Sequence, residues 1–190
     1  AFHKCIPARV KGHGLAYHLS KDRDLAGAYF SVWTQPERTR LYKPELRERI
    51  GSDFAENYKI GLIRQSKTDD YLSRMQELDM RTFMVDDVLT KVDRVSMVNS
   101  LEVRVPLLDH KLAEFSFRIP SRFKYKNGEM KYILKKTMEK HLPVTVLSHK
   151  KQGFTVPLRL WFKDSLKEYV HDRLVAPGSR IAAYVNMDYV

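Results

Sequence analysis

The clearest pattern in the chain is a stripe of apolar or small residues that follows Thr68-Asp69-Asp70. Its members recur at alternating spacings of four and three, which places them on one face of a helix. They are Tyr71, Met75, Leu78, Thr82, Val85, Leu89, Val92 and Ser96. Thr68-Asp69-Asp70 can cap this helix, because acidic side chains are favourable at a helix N-terminus. The pattern predicts a long helix with one buried face, broken once near Asp86.

Shorter helices are predicted before this stripe. Thr34 and Glu37 have the spacing of a capping box, which predicts a helix ending near Tyr42. Pro44 suits the first turn of a second helix, and Gly51 suits its end.

More short helices are predicted after it. Asp109 or His110 can cap a helix that runs to about Phe117, and Asn127-Gly128 is typical of a turn. Two longer helices follow, from Glu129 to His141 and from Pro157 to Gly178. Their predicted inward residues are Met130, Ile133, Leu134 and Met138 in the first, and Leu158, Trp161, Leu166, Val170 and Leu174 in the second. Strand-like alternation is confined to Val144–Leu147.

Acids and bases are unusually dense between Asp86 and His110, a segment that otherwise has the pattern of a buried helix and turn. Burying charges is costly unless they pair with each other or with a ligand. Two interpretations of Asp93, Arg94, Glu102 and Arg104 follow. They form buried ion pairs that fix the helix against the next segment, or they order a substrate or catalytic loop.

The net charge of +11 is concentrated towards the C-terminal half. Ten bases and two acids between Arg118 and Lys151 give that segment a net charge of +8. Such a field attracts an anion, whether nucleic acid, an acidic membrane surface or a phosphorylated small molecule. At its end, a predicted loop over Ser148–Pro157 carries Lys150 and Lys151, and Gly153 and Pro157 bracket Phe154 within it. This loop can hold a lysine against a phosphate, or the two lysines are simply solvated.

The sequence lacks the signatures of several classes of protein. No apolar run is long enough to span a membrane, and no secretory leader is seen. Cys5 is the only cysteine, and no HExxH or Cys-His cluster occurs, so we assign no metal ligand. We expect a cytoplasmic protein, and the start at Ala1 leads us to expect a piece of a longer one.

Three motifs occur in one order along the chain. The first is Asp87–Met97 with Ser100–His110, the second is Gly128–Leu134, and the third is Leu142-Pro143 with Lys151–Leu158. Together they resemble the C-terminal part of the glutamine-hydrolysing asparagine synthetase family, from about residue 80 to about residue 170.

The resemblance implies a mainly α fold. The chain would be the helical C-terminal portion of an adenine-nucleotide-hydrolase-like α/β synthetase domain whose parallel sheet largely lies outside it. We expect a single fragment, 1–190, with a helical or irregular lead-in over 1–67, a motif-bearing helical core over 68–175 and a variable tail over 176–190.

The resemblance also implies chemistry. The family uses ATP, with Mg²⁺, to convert a carboxylate to an acyl-adenylate and pyrophosphate, and ammonia from glutamine then forms the amide. Lys151 matches the lysine that stabilises charge during adenylation. Seven further positions match motif residues that support the site: Asp93, Arg94, Glu102, Arg104, Lys131, Gln152 and Gly153. The implied partners are an upstream synthetase half and a glutaminase domain of the same chain, and a homodimer stays open.

Two family motifs are absent from the chain, Ser-Gly-Gly-x-Asp-Ser and Gly-Glu-Gly-Ser-Asp-Glu, and Cys5 does not match the glutaminase nucleophile. We therefore expect the chain alone to be inactive and to expose apolar faces. Two alternatives stay open. Related family members make β-lactams, cyclic peptides or amidated sugars, and the +8 segment could bind nucleic acid, although it lacks a recognised reading motif.

Overall fold

A computed structural model describes residues 22–29, 31, 33–149 and 157–190. The chain divides into two compact units. The first joins Ala1–Gln65 to Gly153–Val190, and the second is Ser66–Gln152. The predicted boundaries at residues 67 and 175 stay a prediction.

The described residues are mainly helical, as predicted. The α-helices are α1 (Gln35–Leu41), α2 (Pro44–Ile50), α3 (Phe54–Gln65), α4 (Tyr71–Asp79), α5 (Thr90–Val98), α6 (His110–Arg118), α7 (Ser121–Lys124), α8 (Tyr132–Met138), α9 (Val144–Leu147), α10 (Leu158–Lys163) and α11 (Lys167–Leu174). A π-helical stretch spans Met80–Leu89, and 3₁₀ turns span Arg23–Tyr29, Pro106–Leu108 and Arg180–Ala183. The strands are β1 (Tyr125–Lys126) and β2 (Glu129–Met130).

The predicted starts of α1 and α2 are confirmed. Thr34 caps α1, and the Glu37 side chain accepts a hydrogen bond from the Thr34 backbone N–H at 2.7 Å. Pro44 begins α2, and Gly51 ends it with a φ of 70°. Helix α3 was not predicted. It packs on the Arg23–Tyr29 turn.

The first unit is organised around a buried ion pair between Arg38 of α1 and Glu56 of α3. The guanidinium also donates to the carbonyl of Ser52 at 2.8 Å, to the carbonyl of Trp33 and to the hydroxyl of Ser31 at 3.3 Å. These hydrogen bonds replace the water that the guanidinium loses when it is buried. Among the described residues of this unit, the buried apolar ones are Ala28, Leu62, Ile63 and Val185.

The long helix of the second unit runs from α4 through the π-helical stretch into α5. Asp70 caps it by accepting a hydrogen bond from the Ser73 N–H at 2.8 Å, as predicted. The predicted break near Asp86 is wrong, because the helix widens there instead of ending.

The predicted buried stripe is also wrong, except at its centre. Leu78 and Thr82 are buried, whereas Tyr71, Val85 and Val92 are exposed. A π-helix places each N–H against a carbonyl five residues back, so it has more residues per turn than an α-helix. The four-and-three spacing therefore does not keep one face through Met80–Leu89.

The turn at Asn127-Gly128 is confirmed, and it joins β1 to β2 with Tyr125 opposite Met130. The prediction that a helix starts at Glu129 is wrong, because Glu129 and Met130 form strand β2 and α8 begins at Tyr132. Val144–Leu147 is helical rather than strand-like.

The predicted inward faces of the C-terminal helices are mostly exposed. Met130, Ile133, Leu134, Leu158, Trp161 and Leu174 are all exposed, and the last predicted helix is two helices, α10 and α11. Within the described residues, no second layer covers these faces, and this explains why an amphipathic pattern did not give a buried core.

Candidate functional site

A cavity of about 860 Å³ lies in the second unit, between the hairpin, α8 and α9. Its wall is mostly apolar, with a few polar groups near the hairpin. The lining residues are Leu107, Gly128, Glu129, Met130, Lys131, Leu134, Lys135, Met138, Leu142, Val146, Leu147, Ser148 and His149. Its size falls in the range of about 300–1,000 Å³ that is usual for small-molecule sites.

Two lysines line this wall, and they differ in whether a carboxylate is paired with them. Lys135 forms an ion pair with Glu129, with Nζ and Oε1 2.9 Å apart. Among the described residues, no carboxylate lies within ion-pair distance of Lys131. Lys131 therefore offers the cavity a positive charge that Glu129 does not neutralise.

The backbone holds Lys131 in an unusual conformation. Its φ of 57° and ψ of 32° lie in the left-handed region, immediately before the first residue of α8. This conformation costs a non-glycine residue roughly 1–2 kcal/mol. The hairpin and the helix start together impose it, which fixes the direction in which the Lys131 side chain leaves the backbone.

Ser148 and His149 also line the cavity, and they are the first two residues of the predicted phosphate-facing loop. Lys151, Gln152 and Gly153 lie outside the described residues. Their assignment to the site stays a prediction.

The charged segment before the cavity is exposed. The Arg104 Nε donates to Glu102 Oε1 at 2.7 Å, and these side chains are 86% and 70% exposed. Asp93 and Arg94 are exposed on α5. The interpretation of these four residues as buried ion pairs is therefore wrong. Glu102 and Arg104 are two residues apart in an irregular segment, so they pair locally and do not tie it to α5.

The same segment leads to the cavity wall. Leu107 follows Glu102 and Arg104 within five residues and lines the cavity. The structure thus connects Lys131, His149 and Leu107 at one cavity. Asp93, Arg94, Glu102 and Arg104 are not among its lining residues.

Comparison with known proteins identifies the family. The family model described as asparagine synthase matches residues 7–190. The chain belongs to the asparagine synthase family. The resemblance of its three motifs is thereby confirmed.

Curated relatives carry the same name. The chain is 36% identical over 171 residues to "Asparagine synthetase [glutamine-hydrolyzing] 1" of Bacillus subtilis, covering 90% of this chain and 26% of that protein. It is 39% identical over 94 residues to a putative glutamine-hydrolysing asparagine synthetase of Mycobacterium bovis, covering 50% of the chain and 14% of that protein. The human glutamine-hydrolysing asparagine synthetase is 33% identical over 102 residues, with 50% and 18% covered.

The chain thus spans about a quarter of the Bacillus subtilis protein and a smaller share of the other two. No solved structure matches the chain.

Sequence reasoning missed a polar cluster that joins α4 to α7 in the second unit. Asp70 accepts a hydrogen bond from the Ser121 hydroxyl, and Lys124 Nζ donates to Gln76 Oε1 at 3.0 Å. The bonds from Ser121 and Ser73 lower the pKa of Asp70, and burial lowers the pKa of Lys124. The capping position of Asp70 was visible in sequence, but its partner 51 residues away was not.

Two kinds of site are absent from the part of the chain that the structure describes. It contains no group of three or more His, Cys, Asp or Glu side chains that could hold a metal ion. None of its helices combines the length and the apolar composition that a membrane span requires.

Proposed function

We propose that this chain is the C-terminal part of the synthetase domain of a glutamine-dependent asparagine synthetase. The match of the asparagine synthase family to residues 7–190 carries this proposal. In the proposed reaction an aspartate carboxylate attacks the α-phosphate of ATP, releasing pyrophosphate and forming aspartyl-adenylate. Ammonia from glutamine then displaces AMP to give asparagine.

The cavity contributes one wall of that site. Negative charge develops on the leaving pyrophosphate, and a fixed cation stabilises it most where water is partly excluded. Lys131 supplies a positive charge at an apolar wall, and Lys151 follows the lining residue His149 by two positions in sequence. We assign both lysines to the phosphates, with Gln152 and Gly153 shaping the loop.

The ligands of the proposed reaction are shared between this chain and the rest of the protein. Lys131 and Lys151 are suited to ATP phosphates. The family's acidic motif, Gly-Glu-Gly-Ser-Asp-Glu, is not part of this chain, and we propose that the upstream region carrying it holds most of the Mg²⁺ that accompanies ATP. An upstream synthetase half and a glutaminase domain of the same protein would be its partners. Because ATP and free amino acids are the proposed substrates, we propose a cytoplasmic location.

The test uses the full protein that carries this chain. Lys151→Ala should abolish aspartate-dependent pyrophosphate release and leave glutamine hydrolysis intact, because it removes charge only from the adenylation step. Lys151→Arg should restore little, since a guanidinium differs in shape and hydration from an ammonium. Lys140→Ala removes a charge from an exposed site outside the cavity and should change neither activity.

Equal loss of both half-reactions in Lys151→Ala would contradict the assigned role. Replacing aspartate with other carboxylates tests the substrate. Pyrophosphate release with another carboxylate but not with aspartate would place the protein with the family members that make other amides or lactams. The 190-residue chain alone should release no pyrophosphate.

A further inference from the structure

A second, smaller cleft lies on the other side of the hairpin turn. It has a volume of about 280 Å³ and is lined by Arg122, Phe123, Tyr125, Lys126 and Asn127. It shares no lining residue with the larger cavity. Its volume lies just below the usual range for small-molecule pockets, so it encloses a planar ring and leaves the rest of a ligand at the surface.

The sequence around this cleft combines bases with aromatic residues and lacks acids. Arg122 to Lys126 alternates strictly between basic and aromatic side chains. No Asp or Glu occurs between Glu114 and Glu129. The local field is therefore positive, which favours a ligand that carries negative charge.

The cations of the cleft are held on rings and not on carboxylates. The Arg122 guanidinium carbon lies 4.9 Å from the centre of the Phe123 ring, and Lys126 Nζ lies 5.0 Å from the centre of the Tyr132 ring. Among the described residues, neither base has a carboxylate within ion-pair distance. Lys135 and Lys136 of α8 differ, because Glu129 and Glu139 pair with them.

Aromatic surface is also available. The Tyr125 side chain is 52% exposed, and Phe123 is exposed beside it. Lys124 does not take part, since its ammonium bonds to Gln76 and lies over the Phe117 ring. The cleft thus joins open aromatic surface, two unneutralised cations and the amide of Asn127.

We propose that this cleft binds a nucleotide, whose base stacks on Tyr125 and whose phosphate meets Arg122 and Lys126. Stacking combined with basic side chains is how proteins bind unpaired bases without sequence preference. The chain carries no recognised reading motif for nucleic acid, but stacking needs none. The nucleotide is either free in solution or part of a single strand, and the two sources share this chemistry.

The first arm of the test measures fluorescence anisotropy of a labelled ten-nucleotide oligothymidylate with the full protein. Tyr125→Ala should weaken binding about ten-fold with an unchanged salt slope, because stacking carries no charge. Lys126→Ala should weaken binding and reduce the slope of log affinity against log salt by about 0.7, the value for one phosphate contact on a single strand. Lys140→Ala, a matched loss of charge outside the cleft, should change neither quantity.

The second arm titrates free AMP and, separately, inorganic phosphate by calorimetry. AMP also binds the proposed synthetase site as a product, so this arm is run with the Lys151→Ala protein. A free nucleotide as the source predicts AMP binding to that protein which a further Tyr125→Ala substitution weakens. Binding in either arm that depends on Tyr125 supports the proposal and identifies the source.

Three results would overturn the proposal: binding that is absent from both arms or unchanged by Tyr125→Ala in both, inorganic phosphate binding as tightly as AMP, or double-stranded DNA competing as well as the single strand. None of them bears on the synthetase function, because pyrophosphate release is measured separately.

Discussion

Arg38 connects three separate parts of the first unit through one side chain. Its guanidinium contacts Glu56 of α3, the backbone at Trp33 and Ser52, and the Ser31 hydroxyl. The Arg38 and Glu56 side chains are only 9% and 4% exposed. A buried charge that loses its partner is strongly destabilising, whereas the intact pair contributes less than its attraction suggests.

Glu56→Ala should therefore lower the free energy of unfolding by about 3–5 kcal/mol, because it leaves the Arg38 guanidinium buried without a carboxylate. Urea denaturation followed by circular dichroism measures this change. Glu48→Ala removes a carboxylate from an exposed position on α2 and should change stability by less than about 0.5 kcal/mol. Similar effects of the two substitutions would show that the pair is not buried in solution.

Sequence reasoning succeeded for residues whose partners are close along the chain. The capping box of Thr34 and Glu37, the cap at Asp70 and the turn at Asn127-Gly128 each depend on a few adjacent residues. The Arg38–Glu56 pair joins residues 18 apart in different helices, and its burial depends on how those helices pack. No local pattern marks such a pair.

At the scale of the elements, the β1–β2 hairpin contributes residues to both the larger cavity and the smaller cleft. Gly128 has a φ of 83°, and Asn127 and Lys131 are also left-handed. Its two strands have only two residues each, so the conformation of the hairpin depends mainly on the turn. A change at the turn therefore affects the walls of both sites.

Gly128→Ala should destabilise the protein by about 1–2 kcal/mol, since a side chain disfavours a left-handed backbone. Open space around the position does not remove this cost. Gly61→Ala is the matched control, because Gly61 lies within α3, where an added Cβ meets nothing within 4 Å. It should stabilise the protein by about 0.5–1 kcal/mol.

The midpoint temperature of thermal unfolding should therefore fall for Gly128→Ala and rise for Gly61→Ala. Shifts in the same direction would contradict a left-handed backbone at Gly128.

The elements themselves were predicted unevenly. Helices with strong caps were found, but α3 was missed because Phe54–Gln65 has little separation of apolar from polar residues. The hairpin was mistaken for the start of a helix, since a two-residue strand is too short to show alternation. The π-helical stretch leaves no simple signature in sequence.

At the scale of the whole molecule, many apolar side chains of the second unit are exposed. Val95, Val98, Leu101 and Leu107 are all exposed, and Val98 is 85% exposed. Large exposed apolar patches mark interaction surfaces or aggregation-prone regions. This agrees with a chain that spans 26% of its Bacillus subtilis relative.

We expect the 190-residue chain by itself to self-associate as its concentration rises. Val95→Lys combined with Val98→Lys should shift sedimentation velocity profiles towards the monomer, because it charges one exposed apolar face of α5. Asn57→Lys combined with Thr137→Lys adds the same charge at exposed polar positions and should leave association unchanged. An equal effect of both pairs would indicate simple charge repulsion and not apolar contact.

The site was predictable only as far as its motifs extend. Three motifs led to the family, which the match over residues 7–190 confirms, and Lys131 lies at a cavity wall. The environment of Asp93 and Arg94 was not predictable, because burial depends on how layers pack and not on the local pattern. The smaller cleft was not found either, since its rings and bases meet only once the hairpin has folded.

The widened helix over Met80–Leu89 changes the direction in which the charged residues after it leave the helix axis. An α-helical residue turns the chain by about 100°, whereas a residue in a π-helix turns it by less, because its hydrogen bond reaches one residue further back. Ten such residues therefore rotate α5 about the axis relative to an uninterrupted α-helix of the same length. Asp93 and Arg94 thus face a different side from the one that their spacing from Asp70 alone would give.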